Sequence, residues 1–205
     1  LAVQLYRLPG VSVEEYYERY YPYGELAAHV IGYTNRISEE DLETLNPDDY
    51  RGLQYIGRSG IEQQYEERLR GKPGYQQVET DANGNIVRLM REQPAVRGQD
   101  IYLSLDIELQ AFIYHALGDY RGSSVMIDPQ TGEVLAMVSK PGFDANLFAR
   151  GISQRQYKRL QEDPHGPMYD RALKGRYPPG SVIKPFMSLA GYHYGVFTPY
   201  TRVNC

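Results

Sequence analysis

Residues 178–185 confine the backbone tightly: Pro178-Pro179-Gly180-Ser181-Val182-Ile183-Lys184-Pro185. Two consecutive prolines fix φ and force an extended approach, and the glycine that follows permits a sharp turn. A proline is tolerated in the first turn of a helix, where its missing N–H has no intrahelical partner to lose. Pro185 therefore predicts a helix that starts near Ser181.

With that start, Ser181 and Lys184 are three residues apart on one helix face. A serine hydroxyl becomes a good nucleophile only beside a base. A lysine is such a base only when desolvation and neighbouring charge bring its pKa down from about 10.4. The free N–H groups of a helix start would stabilise a developing oxyanion. The same residues also fit a plainer role, with Ser181 as the N-cap of a buried helix and Lys184 on a solvated face. Spacing alone does not separate the two.

The rest of the chain alternates short elements, which predicts an α+β fold. After a strand-like opening, Ser38-Glu39-Glu40-Asp41 has the form of a helix cap. Residues 57–71 predict a longer helix, with Ser59 as N-cap, Glu62 as capping-box partner, and Gly71 and Pro73 as the stop. Its charged side, including Glu66, Glu67, Arg68 and Arg70, reads as solvated surface. Gln76–Thr80 and Ile86–Met90 predict a hairpin turned at residues 81–85. A strand over 100–105 leads into a helix capped by Asp106, with Leu109, Ile113, Ala116 and Leu117 as its apolar stripe and Gly118 as its end. Residues 123–139 predict a second hairpin, turned by Asp128-Pro129-Gln130-Thr131-Gly132. Ser153 caps a further helix through Leu160. The order suggests a β-rich, non-catalytic module over 1–105 and the first part of an α/β domain, a sheet flanked by helices, over 106–205.

Composition removes several function classes. The formal net charge is −4, so no basic patch for nucleic acid is indicated. No apolar run approaches the ~20 residues needed to span a bilayer, and since Leu1 opens directly into strand-like sequence no signal peptide is expected within this chain. The one cysteine, Cys205, cannot form an internal disulfide. It reads as a buried or loop thiol, as a residue exposed by truncation, or as one zinc ligand. Structural zinc takes four ligands, and His165 and His193 stand isolated, so the others would lie mostly beyond residue 205.

Several segments carry a resemblance. Tyr169-Asp170-Arg171-Ala172, followed by Tyr177 to Phe186, resembles the active-serine segment of class B penicillin-binding proteins, which share Ser-x-x-Lys with beta-lactamases. Val125 to Ser139 resembles the first hairpin of their transpeptidase domain. Phe143-Asp144-Ala145-Asn146 resembles the loop that follows, where the family commonly has proline at the place of Ala145. Arg19 to Tyr33, Tyr55 to Glu62 and Leu69 to Gly74 are similar to the elongation-specific branch of that family.

The resemblance implies a pedestal module over 1–105 and the start of a transpeptidase domain over 106–205. It implies a peptidoglycan D,D-transpeptidase inhibited by beta-lactams, with Ser181 as nucleophile, Lys184 as general base and the Ser181 N–H as half of an oxyanion hole. Its substrates would be stem peptides, and no cofactor is implied. Its partners would be elongation-machinery proteins such as the MreC scaffold and a glycan polymerase. Its place would be the periplasmic face of the bacterial inner membrane, held by an anchor not in this chain. The family also carries Ser-x-Asn and Lys-Thr-Gly motifs beyond the active serine, and neither occurs here. The chain is therefore expected to be an internal piece that does not complete the reaction alone. The alternative is an inactive interaction module that docks partners through the pedestal. A separate beta-lactamase is disfavoured by the long module before Ser181, and a beta-lactam sensor would not need the segment at residues 20–33.

Overall fold

Side-chain caps set the helices. In the computed structural model, which describes residues 18–84 and 86–202, α1 (Ala28–Ile31) is followed by α2 (Glu39–Thr44), where Ser38 and Asp41 form a reciprocal capping box. Arg58 grips the Asp41 carboxylate with both guanidinium nitrogens, the first at 2.7 Å, and so ties α2 to the strand beside it. That grip, with the Ser38 hydrogen bonds, holds the Asp41 carboxyl well below the usual carboxylate range. Next come α3 (Pro47–Tyr50), with proline in its first turn, and the antiparallel pair β1 (Thr34–Arg36) and β2 (Tyr55–Gly57), in which Asn35 faces Ile56.

The helix expected over 57–71 is two helices, α4 (Gly60–Gln64) and α5 (Glu66–Arg70), separated at Tyr65, whose φ of −115° leaves helical geometry. The Ser59–Glu62 capping box does not form. Glu62 is 6% exposed, and its carboxylate turns inward to the Arg19 guanidinium at 3.0 Å and the Tyr21 hydroxyl at 3.2 Å. Nor is the charged side of α5 wholly solvated. Tyr50 donates to Glu66 at 2.7 Å and lies under the Arg70 guanidinium, which places Glu66 and Arg70 half-buried against an aromatic ring. Burial first, and the Glu66 contact next, push the Tyr50 hydroxyl up to about 12.

Two segments approach here more closely than a side chain allows. A Cβ on Gly32 would stand 1.8 Å from the Ser59 carbonyl oxygen, and Gly60, at φ +57°, would bring one within 2.4 Å of the Val30 carbonyl oxygen. Glycine at both places lets the end of α1 touch the start of α4.

The hairpin β3 (Tyr75–Thr80) and β4 (Ile86–Gln93) is antiparallel and exposed over nearly its whole length. No strand forms over 100–105. The hydrogen bonds of that stretch to the next sheet come at its end, from Ser104 Oγ to Val134 O and from the N–H of Asp106 to Leu135 O, without a ladder. Asp106 caps α6 (Ile107–Ala116) by accepting from the N–H groups of Glu108 and Leu109. Of the expected stripe on α6, Ile113 is buried and Leu109 and Leu117 pack beside it, while Ala116 is exposed. Gln110 takes the central place, 1% exposed. Its amide donates to Leu26 O and Met137 O and accepts from the N–H of Met137, so a polar side chain is buried with its bonds satisfied.

That glutamine pins α6 to the hairpin β5 (Gly122–Ile127) and β6 (Val134–Lys140). The turn between them is built by Asp128, which accepts from the N–H groups of Gln130 and Thr131. Ala136 and Val138 of β6 are fully buried against α6, whereas Val125, Met126 and Ile127 of β5 are exposed. At the far end Lys140 donates to the carbonyls of Tyr114 and Gly118, a cation placed on the C-terminal carbonyls of α6.

A second cluster joins the N-terminal segment to residues 143–168. Tyr21, Ala28, Phe143, Ala145, Phe148 and Ala149 are buried together, with Tyr33, Ile152 and Leu160 packed around them. Phe148 belongs to α7 (Asn146–Ala149), and Leu160 to α8 (Gln154–Glu162), which starts in a Ser153–Gln156 capping box. Asn146 reads the backbone of Tyr21 at two points, accepting from its N–H and donating to its carbonyl, both at 2.9 Å. The Tyr21 hydroxyl accepts from the N–H of Thr34 and donates to Glu62. Burial chiefly pushes this phenol up to about 12 and also raises the Glu62 carboxyl, against the pull of Arg19.

His29 lies in the same seam, its Nε2 at 2.8 Å from Pro167 O and its ring edge-on to Phe143. Burial lowers its pKa from 6.5; Asp170 opposes this and Arg171 adds to it. The neutral ring therefore belongs to the folded state. The stabilisation is present above the unfolded value of about 6.5 and is lost as pH falls below it. Thermal unfolding at pH 7.5 and 5.5 is expected to show a larger drop in Tm for the native chain than for His29→Gln. Equal drops would remove His29 from the pH response.

The seam belongs to one compact unit that reaches Leu173, and a second begins at Lys174, within α9 (Arg171–Lys174). Among the described residues no helix is long and apolar enough to cross a membrane. The strand-like opening expected for the first residues falls mostly outside the described ones.

Candidate active site

The second unit carries Ser181 and Lys184. Pro179 sits at φ −70°, ψ −19°, and Gly180 then takes φ +55°, a left-handed conformation that favours glycine. The chain turns there into one 3-10 turn, Gly180–Ile183, which runs on into α10 (Lys184–His193) with Pro185 in its first turn. The α-helix proper thus begins at Lys184 rather than at Ser181. Ser181 lies within the 3-10 turn, and Lys184, three residues on at φ −57° and ψ −42°, is the first residue of α10. The N–H of Lys184 donates to the Ser181 carbonyl, so one hydrogen-bonded turn spans the two residues.

Both side chains are exposed in this unit, as are Val182, Phe186, Met187 and Leu189 around them. After α10 the chain folds back, with the N–H of Val196 donating to Gly191 O and the Phe197 ring lying where a Cβ on Gly191 would stand 2.3 Å away. Bare backbone at Gly191 is what lets the ring brace the helix behind the serine. A shallow apolar hollow lined by Pro185, Ser188, Leu189, Tyr192 and Phe197 results.

Cys205, the zinc ligand considered from sequence, lies outside the described residues. Among those described, no group of three or more His, Cys, Asp or Glu side chains is placed to hold a metal ion. Asn146 was legible only as part of a family-like loop; its two-point hold on Tyr21 needs the folded chain. The sequence offered one hint, the Asp144-x-Asn146 pair, in which Asp144 accepts from the Asn146 N–H and side chain.

Ser181 and Lys184 lie on a tight turn in a chain that matches two family descriptions. The family description "Penicillin-binding Protein dimerisation domain" matches residues 1–103, and "Penicillin binding protein transpeptidase domain" matches residues 122–205. The chain belongs to the class B penicillin-binding proteins.

Among curated relatives it is similar to peptidoglycan D,D-transpeptidase MrdA of Acinetobacter baumannii, 48% identical over 97% of this chain and 30% of the relative. To MrdA of Escherichia coli K12 it is 45% identical over 98% of this chain and 32% of the relative. The chain thus spans about a third of the length of these relatives. Among solved structures it is similar to Pseudomonas aeruginosa PBP2 in complex with WCK 5153, with 42% identity, a TM-score of 0.81 and coverage of 94% of this chain and 39% of that one. It is also similar to the complex between PBP2 and MreC from Helicobacter pylori, with 31% identity, a TM-score of 0.85 and coverage of 98% and 37%.

Proposed function

We propose that this chain is part of a peptidoglycan D,D-transpeptidase of cell elongation, in which Ser181 is the nucleophile and Lys184 its base. The observation that carries the reading is the Ser181-x-x-Lys184 segment on a hydrogen-bonded turn at the start of α10, in a chain of this family. Ser181 Oγ attacks the carbonyl between the two D-alanines of a stem peptide as Lys184 takes its proton. The Ser181 N–H supplies half of the oxyanion hole. The C–N bond then breaks, and the terminal D-alanine leaves as an amine that takes up a proton. An amine of a neighbouring stem attacks the acyl-serine ester and restores the hydroxyl, forming the cross-link. A beta-lactam acylates the same oxygen and stays.

On this reading the module boundary lies near residues 105–106, the protein works at the periplasmic face of the inner membrane, and further parts of the complete protein desolvate Lys184. The test is intact mass after benzylpenicillin, on this chain and on the complete protein, each with a Ser181→Ala control. A penicilloyl adduct on the complete protein, lost in Ser181→Ala, is the expected result. No adduct on either would sink the acyl-enzyme.

One observation favours a second role for the N-terminal module as a docking surface. The β3–β4 hairpin exposes Tyr75, Ile86, Val87, Leu89 and Met90, apolar surface of the kind that marks interaction sites. An MreC-type scaffold and a glycan polymerase are the partners this role would serve. Binding of MreC by residues 1–105, unaffected by Ser181→Ala in the complete protein, would support it.

A further inference from the structure

Helix α8 has one side fixed and one side free. Its capping box sets the start, Tyr157 meets Phe148 edge-on at 6.4 Å, and Leu160 packs on the buried cluster around Phe148. With that side turned inward, the helical period puts Arg155, Arg159 and Glu162 on the outer side, with Lys158 beside them. These four are exposed and form one wall of a shallow hollow, closed on the other side by Pro164 and His165.

The loop that closes the hollow is held in place. Arg171 donates to the carbonyls of His165 and Gly166, Arg121 reaches Pro164 O at 3.4 Å, and Asp163 accepts from the N–H of His165 at 2.8 Å. The Asp163 carboxylate is therefore engaged within its own turn. The other carboxylate of the hollow, Glu162, pairs with Lys158 at 3.6 Å.

Arg155 and Arg159 are left over. Elsewhere Arg19, Arg58, Arg70, Arg88, Arg97 and Arg150 each have a carboxylate within 4.0 Å. Among the described residues Arg36, Arg51, Arg68, Arg176 and Arg202 also have none, but they do not stand one helical turn from a second such arginine beside a hollow. Among the described residues no carboxylate pairs with Arg155 or Arg159. Like charges one turn apart destabilise a helix slightly, and in a chain of net charge −4 this pair gains nothing from its own surroundings. A guanidinium fork matches a carboxylate at two points, and two forks one turn apart suit a ligand that presents carboxylates repeatedly.

We propose that the outer face of α8, through Arg155 and Arg159, is an exosite that binds the carboxylates of peptidoglycan stem peptides, separate from the residues that do the chemistry. The inference rests on the transpeptidase reading for the identity of its ligand. A stem peptide ending in D-alanine carries a terminal carboxylate, and a polymer of such stems repeats it.

The experiment is cosedimentation of the complete protein with purified peptidoglycan sacculi, comparing wild type, Arg155→Gln/Arg159→Gln and Arg155→Lys/Arg159→Lys. Two exposed charge-assisted contacts predict about a three- to tenfold weaker binding for the glutamine variant. The lysine variant should keep part of the affinity, which shows that the fold is intact. Amidating the sacculus carboxylates should abolish the difference between wild type and the glutamine variant. Unchanged binding by the glutamine variant, or a difference that survives amidation, would overturn the proposal. So would a loss confined to vesicles of phosphatidylglycerol, which would make the face a lipid site. Benzylpenicillin acylation, read on the same samples, separates the failures. Equal acylation with unchanged sacculus binding overturns the exosite alone. Absence of acylation in wild type overturns the enzymatic reading, and sacculus binding still decides this one.

Discussion

Replacing Lys184 with methionine in the complete protein is expected to slow acylation of Ser181 by benzylpenicillin about 100- to 10,000-fold, the usual worth of a positioned general base. Lys184 stands three residues beyond Ser181, with its N–H bonded to the Ser181 carbonyl, and its amine is the base the proposed mechanism assigns to the serine proton. Methionine keeps the length of the side chain and removes the amine. Because Lys184 is exposed in this unit, the substitution should change folding stability by no more than about 0.5 kcal/mol. Lys184→Arg is the sharper control, since a guanidinium keeps the charge but cannot give up its proton in a protein. An arginine variant that acylates at the wild-type rate would make Lys184 a fixed charge and move the base elsewhere.

Phe148→Ala should destabilise this chain by ~3–5 kcal/mol, the usual cost of emptying a buried aromatic site. Phe148 is 1% exposed. It stacks on Tyr33 with ring centres 3.9 Å apart and meets Phe143 and Tyr157 edge-on at 5.6 and 6.4 Å. Those rings come from segments more than a hundred residues apart, so their collapse into the gap would require the seam between them to shift. For a chain of this size the loss corresponds to a Tm lower by roughly 10 °C. Phe112→Ala is the comparison, because Phe112 is 69% exposed. If the two variants melt together, the seam is not where the first unit keeps its stability.

Legibility followed the range of the interaction. The caps at Ser38, Asp106 and Ser153 were readable because each is a bond between residues two or three apart. The Asp128 turn and the β3–β4 hairpin were readable for the same reason. Ser59 and Glu62 have the same spacing as the Ser38–Asp41 box, yet Glu62 goes to Arg19 and Tyr21 instead. A guanidinium and a buried phenol together outcompete one backbone N–H at the helix start, and nothing local to residues 59–62 announces them. Gln110 was passed over for a related reason. A glutamine on an apolar helix face reads as exposed until Leu26 and Met137, from opposite ends of the unit, supply its partners.

The sequence by itself determined the sharp entry at Pro178–Gly180, the three-residue spacing of Ser181 and Lys184, and most helix ends and hairpin turns, all of which depend on backbone preferences within a few residues. Its motifs also carried the family resemblance. Tertiary structure decided which polar groups are buried and paired, where the long predicted helix breaks, and that Asn146 holds the backbone of Tyr21. It also decided that Arg155 and Arg159 remain on the outer face with no carboxylate partner among the described residues. Burial and pairing depend on which distant segments meet, and that choice is made only when the whole chain packs.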